Sequence, residues 1–129
     1  MPGHRILVVE DNPLNLKLVR DVLTASGYDV VEAQTGEEGV ALAADCDPDL
    51  VLMDLQLPGI DGYEALRLIR DDPRVGNVPV VAVTAFAMRE DRERTASAGF
   101  DGYLSKPISV RDLAAQVGAF LNGGRRDGP

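Results

Sequence analysis

Five short apolar runs punctuate the chain, and each is followed by a stretch with helical spacing of its apolar residues. The runs are 5–9 (RILVV), 29–33 (DVVEA), 50–53 (LVLM), 78–84 (VPVVAVT) and 102–105 (GYLS). They are rich in Val, Ile and Leu and mostly lack the alternation of a one-sided sheet, which predicts strands buried on both faces. Between them the helix ends are legible. The segment DNPLNLKLVRDVLTASG carries Asp or Asn as a cap, Pro13 in its first turn and Gly27 as its stop. TGEE at 35–38 has the spacing of a capping box and opens a helix running to about Ala44. Further helices are expected over about 62–70 and about 88–98, the second stopped by Gly99. Ser109 is the expected cap of the last helix, where Leu113, Val117, Phe120 and Leu121 follow helical spacing.

A strand–helix unit repeated five times calls for a parallel sheet with helices on both sides. Right-handed crossovers leave few arrangements. The expected fold is α/β, a flavodoxin-like three-layer sandwich with five parallel strands in order 2-1-3-4-5 and five helices. One domain is expected over 1–122, with a disordered tail over 123–129.

Composition narrows the function classes. With 45% hydrophobic and 26% charged residues, the 129-residue chain can form one core without staples. Its one cysteine, Cys46, allows no internal disulfide and suits a reducing cytoplasm; beside Asp47-Pro48 it reads as a structural or incidental thiol. No apolar run approaches a membrane span, and the first residues lack the long apolar stretch of a signal peptide. A net charge of −8 and a pI near 4.5 repel phosphate backbones, which argues against nucleic-acid binding.

The chemistry lies where the strands end. Strand 1 runs into Glu10 and Asp11, strand 3 into Asp54, strand 4 into Thr84, and strand 5 into Lys106 after Ser105. Open parallel sheets bind ligands outside these carboxyl ends, so three carboxylates, a hydroxyl and an ammonium converge on one crevice. Clustered carboxylates repel one another unless a cation sits among them, and all-oxygen ligands with open positions suit Mg2+. Such an ion neutralises an incoming phosphoryl group, while Lys106 and Thr84 take its other oxygens. A carboxylate so placed can act as the nucleophile and form an acyl phosphate, which points to phosphoryl transfer onto Asp54. Taken singly, each residue has a plainer role as turn, cap, strand residue or surface charge. Their convergence carries the reading.

The segments ILVVEDN, LVLMDLQLPGIDG, VVAVTA and GYLSKPIS resemble the signatures of the response-regulator receiver domain of two-component signalling. The similarity covers about residues 4–122. EDNPLN, VAVTAFAM and SKPIS are similar to stand-alone receivers of the cell-division regulator type and to receivers of hybrid kinases. The resemblance implies the same strand order and a phosphoryl group taken by Asp54 from a histidine kinase or histidine phosphotransfer protein. It implies Mg2+ held by Glu10, Asp11, Asp54 and the Gln56 backbone carbonyl, with Thr84 and Lys106 on the phosphoryl oxygens. Tyr103 would be the switch aromatic, and a cis Lys106-Pro107 bond is favoured. A downstream protein target would be met through the fourth helix, fifth strand and fifth helix.

Other residues modify this picture. His4, at the start of strand 1, reads as an N-terminal surface residue, so the chain looks like an acceptor rather than a phosphohistidine donor. Gln56 and Phe86, each two residues beyond a site residue, edge the crevice and would govern water access; packing under the fourth helix is an equal alternative for Phe86. The charges of REDRERT at 89–95 are either a solvated face or a partner surface beside Tyr103. An aspartyl-phosphate phosphatase of the haloacid-dehalogenase kind would need a second Asp where Gln56 stands. A flavin module would need a Ser/Thr/Gly cradle where EDNPLN stands. The expected function is thus a single-domain response regulator with slow autodephosphorylation, not a turnover enzyme. A phosphate shuttle or sink and a receiver excised from a hybrid kinase are the alternatives.

Overall fold

The computed structural model describes residues 3–85 and 88–122. Five strands, β1 (Arg5–Val9), β2 (Asp29–Ala33), β3 (Leu50–Asp54), β4 (Val80–Thr84) and β5 (Gly102–Ser105), form one sheet. All neighbours are parallel and the order is β2-β1-β3-β4-β5, as expected. Five helices alternate with them: α1 (Pro13–Ala25), α2 (Gly36–Cys46), α3 (Gly62–Asp71), α4 (Arg89–Ala98) and α5 (Leu113–Asn122).

The two faces of the sheet bury separate clusters, which is why β1, β3 and β4 read as nearly continuous apolar runs, whereas the edge strands β2 and β5 are only partly buried, short of the burial on both faces expected for them. Leu7, Val9, Val51, Met53, Val80 and Ala82 pack toward α2 and α3. Ile6, Val8, Leu50, Leu52, Val81, Val83 and Leu104 pack toward α1 and α5. β3 and β4 are buried along their whole length, Asp54 and Thr84 included.

The helix starts follow their capping chemistry. The Asn12 side chain accepts the N–H groups of Leu14 and Asn15, with Pro13 at the first helical position. Thr35 Oγ1 accepts the Glu38 N–H at 3.0 Å, but Glu38 reaches back to the Gln34 N–H at 2.8 Å instead of closing the box on Thr35. Several ends shift from the sequence reading. α2 runs past Ala44 to Cys46 and stops where Asp47 turns left-handed at φ 48°. β4 begins at Val80 because the Val78 N–H closes a turn on the Val75 carbonyl and Pro79 has no N–H. Ser109 caps a turn and not the helix itself: its Oγ accepts the Asp112 N–H and its carbonyl the Leu113 N–H, where α5 starts. The expected tail at 123–129 and Phe86 lie outside the described residues.

Candidate functional site

Parallel strands all deliver their carboxyl ends to the same edge, so the polar residues at those ends meet there. Asp54, the last residue of β3, is 3% exposed. One of its oxygens accepts the Gln56 N–H at 2.9 Å, a turn that fixes the carboxylate plane. The other accepts from Lys106 Nζ at 2.8 Å. Lys106 reaches this point from the end of β5, where its N–H is held by the Thr84 carbonyl at 2.8 Å and the Lys106-Pro107 bond is cis. The expected cis geometry is present.

Glu10 follows β1 and is buried, its N–H paired with the Ala33 carbonyl of β2. One Glu10 oxygen lies 3.1 Å from Lys106 Nζ and the other accepts the Asn12 N–H at 3.1 Å. Burial, with the Asp54 charge adding to it, pushes the Glu10 carboxyl up to about 7 against these hydrogen bonds. Burial pulls the Lys106 ammonium down, but its bonds to Asp54 and Glu10 outweigh that and leave it raised. Asp11 is exposed at the rim. One oxygen from each of Glu10, Asp11 and Asp54 lies within 4.8 Å of the others.

This donor set fits a hard divalent cation. It is all oxygen, it carries excess negative charge over the single ammonium, and exposed Asp11 leaves coordination positions to water. Among the described residues it is a group of three acids able to converge on one ion.

Thr84 is 1% exposed at the end of β4 and pairs with Ser105, while Ala82 pairs with Tyr103. The period of two along each strand puts Thr84 and Tyr103 on one face of the sheet, diagonal to each other. Tyr103 is half-buried there. A cleft of about 220 Å³ opens over Thr84, lined by Gln56, Asp61, Tyr63, Asp91 and Arg94. Tyr63 was not singled out from the sequence, while Asp91 and Arg94 belong to the charged run 89–95, whose place at this cleft nothing local marks; α3 and α4 flank the cleft and bring all three to it. His4 lies at the other end of β1, away from the crevice, before Arg5.

Gly62 lets the loop after β3 fold back against the strand. Its N–H donates to the Leu55 carbonyl at 3.1 Å, and a Cβ there would stand 2.6 Å from the Asp54 carbonyl oxygen. No helix among the described residues is long and apolar enough to cross a membrane.

The family model of the response regulator receiver domain matches residues 6–118. The polar-differentiation response regulator DivK of Brucella ovis is 45% identical over 116 residues, covering 90% of this chain and 94% of that protein. The receiver domain of sensor histidine kinase PA1611 from Pseudomonas aeruginosa, solved with a magnesium ion coordinated in its active site cleft, superposes with a TM-score of 0.85. It is 38% identical, over 93% of this chain and 98% of that one. The chemotaxis response regulator CheY4 of Vibrio cholerae, 24% identical over 92% of this chain and 98% of that one, shares the fold with a TM-score of 0.87. The strand order, the acidic crevice and the family match converge: this chain belongs to the response-regulator receiver domain family of two-component signalling and is similar to DivK-type regulators.

Proposed function

We propose that Asp54 accepts a phosphoryl group from the phosphohistidine of a histidine kinase or phosphotransfer protein, with Mg2+, and that the modified protein signals by altered binding to a protein target. The observation that carries this reading is a buried carboxylate with both oxygens held, one by the Gln56 N–H and one by Lys106, beside two further acids.

Burial keeps water from competing for the acceptor, and the two hydrogen bonds orient it, so little reorganisation precedes attack. An Asp54 oxygen forms the new P–O bond as the P–N bond of the donor imidazole breaks. Lys106 then transfers its hydrogen bond to a phosphoryl oxygen, and the Thr84 hydroxyl takes another. Glu10, Asp11, Asp54 and the Gln56 carbonyl would hold Mg2+, which when bound supplies positive charge against the phosphoryl oxygens. Slow hydrolysis of the acyl phosphate resets the protein. It is a switch and not a turnover enzyme, and works in the cytoplasm.

The test is labelling by a small acyl-phosphate donor with and without Mg2+. Asp54→Asn keeps the shape but offers a poor nucleophile, and it should take no label. Undiminished labelling of that variant, or acid-stable label, would move the acceptor elsewhere.

A further inference from the structure

α4 is held to the domain differently from α1 and α3. α1 buries Leu16, Val19 and Leu23, and α3 buries Gly62, Ala65, Leu66 and Ile69. α4, with the sequence REDRERTASA, buries Thr95 alone, and that hydroxyl bonds the Arg92 carbonyl of its own helix at 2.8 Å. At its N-terminus Met88 provides no side-chain cap and is exposed. An apolar stripe therefore does not set where this helix sits.

Two arginines two positions apart reach to its flanks instead. The Arg94 guanidinium lies 4.5 Å from the ring centroid of Tyr63 on α3, and that of Arg92 lies 5.6 Å from the ring centroid of Tyr103 on β5. The two rings stand on different elements. Tyr63 packs edge-to-face on Phe100, with centroids 5.7 Å apart, and Phe100 is part of the core. Tyr103 stands half-buried on the edge strand, opposite the small side chain of Ala82. One stack joins α4 to a ring packed on the core, the other to a ring on the edge strand.

We propose that Arg94–Tyr63 is the pivot of α4 and that Arg92–Tyr103 is a brake, holding Tyr103 outward and α4 beside it until the site is occupied. Arg92 is then a positioning residue for the switch; this rests on the reading of Tyr103 as the switch aromatic. Inward movement of Tyr103 breaks one cation–π stack and leaves the other, so α4 turns about its α3 side. An exposed stack of this kind biases an equilibrium about two- to five-fold.

The experiment uses the full chain with tyrosine rings labelled for NMR, and beryllium fluoride with Mg2+ as the probe. Arg92→Gln removes the cation at similar length, and Arg92→Lys keeps the charge. In Arg92→Gln without probe, the Tyr103 ring signal should move part of the way toward its probe-bound position, and probe affinity should rise about two- to five-fold. Arg92→Lys should fall between parent and Gln. In a Tyr103→Leu background the Arg92→Gln gain in affinity should vanish, since it acts through the ring. An unmoved Tyr103 signal in Arg92→Gln, or an equal gain without the ring, would overturn the brake. A parent Tyr103 signal that ignores the probe would sink the switch reading, whereas the response to Arg92→Gln would still report on the stack.

Discussion

Lys106 is shared between two carboxylates: its Nζ lies 2.8 Å from an Asp54 oxygen and 3.1 Å from a Glu10 oxygen. Both acids are almost wholly buried, while the Lys106 side chain keeps 21% of its surface in water. The ammonium is therefore the fixed countercharge of a site otherwise made of acids.

Removing that countercharge should expose the cost of the acids. Lys106→Met leaves Glu10 and Asp54 facing each other, and the fold should lose on the order of 1–3 kcal/mol, since two buried acceptors lose a charged donor. Millimolar Mg2+ should recover part of the loss by binding the folded form, and more than it adds to the parent. Urea midpoints with and without Mg2+ check this; a variant whose midpoint ignores Mg2+ would mean the acids do not form the ion site.

Asp11 separates metal binding from folding because it is exposed at the rim. Asp11→Ala should change stability by no more than about 0.5 kcal/mol, or raise it slightly by relieving repulsion. It should still abolish labelling by small phosphodonors. Normal Mg2+-dependent labelling of this variant would show that the metal assignment is wrong.

Gly62 tests the loop that carries Gln56. A Cβ there would meet the Asp54 carbonyl oxygen at 2.6 Å and the Leu55 Cα at 2.9 Å, both backbone atoms with little freedom to yield. Gly62→Ala should cost roughly 1–3 kcal/mol as an overpacked site. It should also weaken Mg2+ binding, because the turn on Asp54 has to open. Thermal melting paired with an Mg2+ titration measures both, and a variant with parental values in each would remove the loop from the account.

Thr84 and Tyr103 share one sheet face, diagonal to each other, across the β4–β5 register. A phosphoryl group on Asp54 should draw the Thr84 hydroxyl toward it and vacate space that Tyr103 fills. Coupling through such modest contacts is of the order of 1–3 kcal/mol, about 5–150-fold in partner affinity. Thr84→Ala, once its phosphorylation is confirmed, should lose phosphorylation-dependent tightening while keeping basal affinity. Full tightening in titrations with the partner would instead make Tyr103 a fixed contact residue.

The sequence by itself determined the five strands, their parallel pairing and the convergence of Glu10, Asp11, Asp54, Thr84 and Lys106. For β1, β3 and β4 the reason is that a strand buried on both faces needs an unbroken apolar run, so a polar residue closing such a run marks its end; the partly buried edge strands β2 and β5 follow from the repeated strand–helix pattern instead. The Thr35 cap was legible for a similar reason, since a cap bonds N–H groups two or three residues away, and of the Asp or Asn open to α1 the fold uses Asn12. Local rules also failed locally: Ser109 caps a turn one step before α5, because several such bonds compete at that end.

Only the tertiary structure decided which partners those residues take. Lys106 is 52 residues from Asp54, and its division between two acids depends on where β1, β3 and β5 lie across the sheet. The raised Glu10 carboxyl is a property of burial, which no spacing displays. Nothing in the sequence around Arg70 shows its partners. In the fold it donates to the Gly76, Val78 and Gly99 carbonyls and to Asp101, which also accepts the Val80 N–H, so it ties α3 to the starts of β4 and β5. The charges of α4 read as either a solvated face or a partner surface; in the fold two of them stack on Tyr63 and Tyr103. Periodicity records which face of an element is apolar, whereas contacts between elements far apart in the chain depend on the crossovers that bring those faces together.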